Sequence, residues 1–289
     1  MKYGIYFAYW ARDWDVDHLP FIPLVKKLGF DILEISCAAL KNSSKEHLLE
    51  VSRAAKDAGV ELTAGYGPGP QENLGSSDPA VIRNAVAFYR DILDKLSYMG
   101  ITTIGGGIYS YWPVDYSKPI EKRRDWDESV KNVRVVGKIA EDHGIDYCLE
   151  VLNRFEGYLL NTCKEALEFV EQVDIPAVKI MLDTFHMNIE EDNILDAIRL
   201  AGARLGHFHV GENNRRLPGQ GTMPWKQIGE VLHQIHYDKA VVMEPFVMPG
   251  GQVGQDIKVW RSMCADTSQE SLNRQAQQSV QYLREIFRS

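Results

Sequence analysis

Short apolar runs recur along the whole chain, at residues 3–7, 31–36, 60–65, 102–106, 146–151, 178–183, 206–210 and 240–244. They are rich in β-branched and aromatic residues and bounded by glycine or polar residues, which predicts eight strands. The segments between them carry apolar residues at helical spacing and have recognisable ends. Ser43-Ser44-Lys45-Glu46, Thr162-Cys163-Lys164-Glu165 and Thr267-Ser268-Gln269-Glu270 read as capping boxes, in which a hydroxyl and a carboxylate each satisfy an orphan N–H. Asp78-Pro79 sets a cap before a proline at the first helical position. Gly29, Gly59, Gly100 and Gly144 stand where helices must end in a left-handed residue.

Four of the helix-to-strand junctions resemble one another: LGFDILEI, AGVELTAG, MGITTIGG and HGIDYCLEV. Each is a glycine followed at once by an apolar strand, repeating at the size of one βα unit. Eight such units fill the chain without a linker or low-complexity stretch. A doubly wound sheet usually stops at five or six strands. The expectation is therefore a single α/β domain over residues 1–289, a (β/α)8 TIM barrel of eight parallel strands, closed on the outside by a C-terminal helix over 268–287.

Composition narrows the partners. Of 289 residues, 45% are apolar and 25% charged, an ordinary globular balance. The formal charge of −8 argues against a nucleic-acid partner, since phosphate affinity comes from clustered Lys and Arg. The densest basic group, Lys122-Arg123-Arg124, reads as a solvated loop. Cys37, Cys148, Cys163 and Cys264 form no CxxC pair, so they read as reduced thiols and suggest the cytoplasm. The N-terminus lacks the apolar stretch of a signal peptide, and no run reaches the roughly 20 apolar residues of a membrane span. The expectation is a soluble, unprocessed protein with no membrane partner.

In a barrel of this kind the active site lies at the C-terminal ends of the strands. Four consecutive strands place Glu150, Asp183, His209 and Glu244 there. An apolar strand that ends in a carboxylate must compensate a buried charge, and a divalent cation does so well. Three oxygen ligands with one imidazole suit Mn2+ or Co2+, and accommodate Mg2+. His207 lies two residues before His209 on the same strand, and reads as a hydrogen-bonded neighbour or core residue. The histidines at 18, 47, 143, 233 and 236 fall on helices or their ends and read as surface residues. Gly105-Gly106-Gly107 lacks the rest of a phosphate-loop motif and reads as room for a ligand beside the backbone. Tyr6, Trp14, Tyr109, Trp112 and Phe246 could cover the C–H faces of a sugar or simply pack loops.

GIYFAYW, IGGGIYSYWPVDYS, CLEVLNRFE, VKIMLDTFHMNIEED, LGHFHVGENNRR, MPW and VVMEPF together resemble the ketose 3-epimerases, within the superfamily of xylose-isomerase-like barrels. The resemblance runs in order over nearly the full chain and is closest to the branch that prefers D-allulose (D-psicose). It implies one divalent metal per subunit held by Glu150, Asp183, His209 and Glu244, with Glu150 and Glu244 doubling as an acid–base pair. It also implies that Glu156, His186 and Arg215 hold the ketose O1–O3 region and that Tyr6, Gly107 and Trp112 line the sugar pocket. Relatives often carry alanine where this chain has Gly107, which bears on fine substrate preference. A small-molecule ketose is the implied partner, and a homodimer or homotetramer the implied assembly.

Epimerising C3 of a ketose removes the weakly acidic proton beside the C2 carbonyl and returns one to the opposite face. A metal at O2 and O3 would stabilise the cis-enediolate, and two carboxylates would serve its two faces. Nothing is oxidised overall, so no nicotinamide or flavin is implied. The substrates expected are D-fructose and D-allulose, with D-tagatose and D-sorbose as a second pair. The alternative on the same barrel is an aldose–ketose isomerase. A DNA-repair nuclease would need a histidine-rich zinc cluster, and a sugar-binding protein without chemistry would not need both Glu150 and Glu244.

Overall fold

Eight parallel strands form one closed barrel in sequence order in the computed structural model, which describes residues 1–288. They are β1 (Lys2–Tyr6), β2 (Ile32–Ser36), β3 (Glu61–Gly65), β4 (Thr103–Gly106), β5 (Asp146–Glu150), β6 (Val178–Asp183), β7 (Leu205–Val210) and β8 (Ala240–Met243). The strands match the predicted runs to within a residue at each end. Helices follow in the order α1 (Phe21–Leu28), α2 (Cys37–Leu40), α3 (Lys45–Ala58), α4 (Pro79–Met99), α5 (Lys122–Asp142), α6 (Cys163–Val173), α7 (Thr184–Glu190), α8 (Ile194–Ala201), α9 (Trp225–Gln234), α10 (Gly251–Asp256) and α11 (Gln269–Ile286). The predicted (β/α)8 barrel is the observed fold, and α11 is its C-terminal helix. Among the described residues no helix is long and apolar enough to cross a membrane.

The contacts divide the chain into two compact units. The first comprises residues 1–63 and 208–289. Here β1 lies between β2 and β8, in register Gly4 with Ile32 and with Val242, and β8 pairs onward with β7. Helix α11 packs beside α1 and α9. Tyr9 and Trp10 reach α11 through bonds to the Leu272 carbonyl (3.2 Å) and to Asn273 (2.9 Å). The second unit comprises residues 64–207. Strands β3 to β6 pair in parallel through it, and α4, α5, α6 and α8 pack side by side in sequence order. Leu149, Ile180 and Leu182 have no exposed surface, as expected of parallel strands covered on both faces.

The helix ends show how locally the sequence acts. Gly29, Gly59, Gly100 and Gly144 all have positive φ, between 63° and 92°, where a Cβ would cost about 1–2 kcal/mol. Asp78 accepts from the Ala80 N–H (2.7 Å) and Thr162 from the Glu165 N–H (3.2 Å), as predicted. Two predicted boxes are displaced by one residue. Ser44, rather than Ser43, caps α3 through the His47 N–H, and Ser268, rather than Thr267, caps α11 through the Ser271 N–H. Adjacent hydroxyls compete for one cap, and the one whose backbone is extended while its oxygen meets the third N–H wins.

Three further expectations are corrected. Lys122-Arg123-Arg124 is the first turn of α5 and not a loop; Lys122–Glu165 (2.6 Å), Arg123–Asp127 (3.0 Å) and Arg124–Asp125 (2.8 Å) pairs offset the unfavourable helix dipole. His18 is 2% exposed rather than on the surface. Its Nε2 accepts from the Ser36 N–H (3.3 Å) and Phe7 stacks edgewise on its ring, while burial drops its pKa to about 4. The glycine run is demanded mainly by internal packing. A Cβ at Gly105 would strike Met181 Sδ, and one at Gly106 (φ 121°) would strike the Tyr66 carbonyl. Only Gly107 has the space anticipated for all three, with Leu152 Cδ1 3.6 Å from where a Cβ would stand.

Candidate active site

In the second unit the ends of β5 and β6 deliver Glu150 and Asp183. Both are buried, with 8% and 1% exposure. The strands pair with Glu150 opposite Met181, so Asp183 emerges two residues farther along the same edge. Asp183 also caps α7, its Oδ1 accepting from the Phe185 N–H at 2.6 Å, which aligns the carboxylate with the start of that helix. One turn later α7 presents His186, whose Nε2 lies 3.8 Å from Glu150 Oε1.

The loop after β5 determines what His186 can do. Asn153 is 1% exposed, and its backbone N–H donates to His186 Nδ1 at 3.2 Å, with its side-chain amide 2.7 Å from the same nitrogen. A backbone N–H can only donate, so Nδ1 is the acceptor and Nε2 carries the proton. The Asn153 amide also donates to Glu156 Oε1 (3.2 Å), and its Oδ1 accepts from the Phe155 N–H (2.9 Å). Arg154 clamps the loop to the end of α7, donating to Glu190 from its backbone N–H (2.7 Å), Nε (2.9 Å) and Nη2 (2.8 Å). The predicted group of Glu150, Glu156, Asp183 and His186 is thus drawn together, with Asn153 as the unpredicted junction. Trp112 is half-buried, with its ring against Gly67 and its backbone N–H donating to the Pro68 carbonyl (2.7 Å). Tyr109, one of the proposed sugar-facing aromatics, is a packing residue: it is 1% exposed and donates to the Glu150 carbonyl at 2.8 Å.

In the first unit β7 and β8 deliver His209 and Glu244. The strands pair His209 with Val242, which leaves Glu244 just beyond the end of β8. His209 Nδ1 lies 3.6 Å from Glu244 Oε1, and its Nε2 lies 2.6 Å from Glu34 Oε1. Burial alone would favour a neutral imidazole. Glu34 and Glu244 outweigh it and hold the pKa well above the ordinary histidine value. Tyr6 stands 6.5 Å from the His209 ring, and burial, with Glu244 and Glu34 beside it, pushes its phenol well up. Arg215 Nη2 is 3.5 Å from Glu244 Oε2, and its guanidinium lies over the Phe246 ring, 4.8 Å from the centroid. Tyr6 also packs between Trp14 (6.3 Å) and Phe246 (6.4 Å).

The family model of the xylose isomerase-like TIM barrel matches residues 22–285. D-psicose 3-epimerase of Enterocloster bolteae is 53% identical over 99% of this chain and 96% of its own length. The enzyme of that name from Agrobacterium fabrum is 47% identical over 99% of both chains. A crystal structure of D-psicose 3-epimerase with D-tagatose from Clostridium cellulolyticum H10 superposes with a TM-score of 0.99, at 51% identity and full coverage of both chains. The chain belongs to the ketose 3-epimerases of the xylose isomerase-like TIM barrel family. Its class is therefore that of the isomerases. In this ketose 3-epimerase a buried Glu/His cluster supplies donors of the kind a divalent metal takes, since carboxylates crowd a single imidazole from two sides.

Sequence reasoning overlooked three residues of this epimerase. Glu34 is 1% exposed and is braced by Thr63 Oγ1 (2.7 Å) as well as His209. Its signal was present in ILEIS, a charged residue inside a strand with every position buried. Asn153 and the 1%-exposed Glu212 belong to loops, where a polar residue carries no signal until its partners are known.

Proposed function

We propose that this ketose 3-epimerase interconverts free ketohexoses at C3, D-fructose with D-allulose first and D-tagatose with D-sorbose second. One divalent cation, Mn2+ or Co2+ and also Mg2+, would be held by Glu150, Asp183, His209 and Glu244. The observation that carries this reading is the donor set itself: three carboxylates and one imidazole at the ends of four successive strands, all buried or half-buried. Acids so placed need a compensating charge. When bound, the cation would stabilise negative charge developing on the ketose oxygens as a Lewis acid.

The chain's own residues then divide the work. Glu150 and Glu244 exchange protons with opposite faces of C3, because one base cannot serve both sides of a planar intermediate. His186, held with its proton on Nε2, donates to a ketose oxygen, while Glu156 and Arg215 fix the O1–O3 end. Tyr6, Gly107 and Trp112 bound the rest of the sugar. The names of the relatives and the D-tagatose of the C. cellulolyticum crystal structure support this substrate class. We further propose that the full 289-residue chain acts as one barrel domain in the cytoplasm, as a homodimer or homotetramer.

Incubating metal-supplemented protein with D-fructose in D2O tests the reading. D-allulose carrying deuterium at C3 is the expected product; an aldose without deuterium at C3 would instead establish an aldose–ketose isomerase, and formation of neither product would end both. Glu150→Gln and Glu244→Gln should each lower kcat by about 10²- to 10⁴-fold, and parent-like turnover in either would refute the two-base scheme.

A further inference from the structure

Glu212 is a buried carboxylate that the chemistry above does not use. Its side chain accepts from three neutral donors: the Gly219 N–H (2.7 Å), the Trp225 indole N–H (2.7 Å) and the Met223 N–H (3.1 Å). Glu212 is 1% exposed. The loop after β7 is therefore wrapped around one anion, and only an ionised carboxylate offers acceptors alone to three converging donors. Burying such a charge is unfavourable unless those bonds are made.

The same residue holds the backbone that carries Arg215. The Glu212 carbonyl accepts from the Arg215 N–H at 2.8 Å, and the Glu212 N–H donates to the Arg216 carbonyl at 3.0 Å. Between these bonds Arg215 takes φ of 61°, a left-handed conformation that a non-glycine residue keeps only when its surroundings over-determine it. The Phe246 N–H closes the arrangement on the Arg215 carbonyl at 3.0 Å, and the Phe246 ring lies under the guanidinium. We propose that Glu212 is a positioning residue for Arg215: it folds the loop so that a strained backbone presents the guanidinium beside Glu244 for the ketose. This rests on the sugar-binding role given to Arg215 above.

Glu212→Gln keeps the size but turns an amide N–H2 toward N–H donors. It should raise KM for D-fructose by about tenfold, the loss of one charge-assisted hydrogen bond, with kcat within about twofold of the parent. Hydrogen exchange at the Gly219 and Met223 amides should accelerate. In an Arg215→Ala background the same substitution should change KM by less than about twofold. Trp225→Phe removes one donor of the three and should raise KM by a smaller factor, which keeps the test readable if Glu212→Gln folds poorly. An equal KM effect of Glu212→Gln with and without Arg215, or accelerated exchange with an unchanged KM, overturns the inference. An Arg215→Ala protein with the parent KM overturns the role of Arg215 itself, which is a separate failure.

Discussion

Around the ends of β5 and β6 the site residues are held mainly by neutral donors and acceptors, whereas around β7 and β8 they are held by charge. Asp183 caps a helix, and Asn153 distributes its amide and backbone N–H over His186 and Glu156. The Arg154–Glu190 ion pair grips the loop from its exposed side, with the Arg154 side chain 63% exposed. His209, in contrast, sits buried between Glu34 and Glu244, with Arg215 against the second of these. Neutral bonds give fixed direction and, for His186, a fixed tautomer. Charges give a field, and leave the protonation of His209 dependent on what else is present. Under the proposed function, the residue that aims a proton and the residue that exchanges a proton for a cation would thus have different surroundings.

The comparison is broken most severely at Glu34. Glu34→Gln removes the anion 2.6 Å from His209, and should destabilise the metal-free protein near pH 6 by about 2 kcal/mol, the scale of a hydrogen bond to a charged group. Because the folded His209 pKa is raised above its unfolded value of about 6.5, its stabilisation is complete below that value and disappears as pH rises through the folded pKa. The parent should therefore lose stability on the alkaline side of neutrality, and Glu34→Gln should show a smaller loss beginning at lower pH. Chemical denaturation of chelator-treated protein across pH checks this; parallel curves for the two proteins would contradict it. Binding of a divalent cation should release a proton for the same reason, since only neutral imidazole ligates.

Asn153→Ala addresses the neutral half. It removes the amide from His186 and Glu156 and leaves the Phe155 N–H without its partner, for an expected cost of about 1–3 kcal/mol. That cost should be the same at pH 6 and pH 8 in the metal-free protein, and a strong pH dependence would show that this half also rests on charge. The smallest effect is expected at Gly107. A Cβ there meets only Leu152 Cδ1, at 3.6 Å, so Gly107→Ala should fold and gain about 0.4–1 kcal/mol through the unfolded chain. Loss of stability in a thermal melt would show that the end of β4 is as tightly constrained at Gly107 as it is at Gly105 and Gly106.

These contrasts bear on how much could be read from the chain. The strand runs, the terminal glycines and the Asp78 and Thr162 caps are local features, and each acts as its residue type demands. Glu150, Asp183, His209 and Glu244 were legible because a carboxylate or imidazole at the end of an apolar strand is anomalous by itself. Glu34 was equally anomalous within ILEIS, but it lies inside β2 rather than at its end, and its partner His209 comes from β7. Asn153 and Glu212 had no such signal, because their importance lies in donors that belong to other parts of the chain. His18 was misplaced for the converse reason. Its local sequence, Val16-Asp17-His18-Leu19, carries no clear burial signal, while Phe7 and the Ser36 N–H that enclose it come from other segments.

Sequence alone determined the order and kind of elements, because strand and helix periods and end signals are properties of a few consecutive residues. It also determined which strand ends carry a carboxylate or an imidazole. Tertiary structure decided which of two adjacent hydroxyls caps a helix, which nitrogen of His186 carries the proton and how strongly His209 holds its own. Each of those depends on distances of a few ångströms between residues far apart in the chain, where hydrogen bonds and buried charges act.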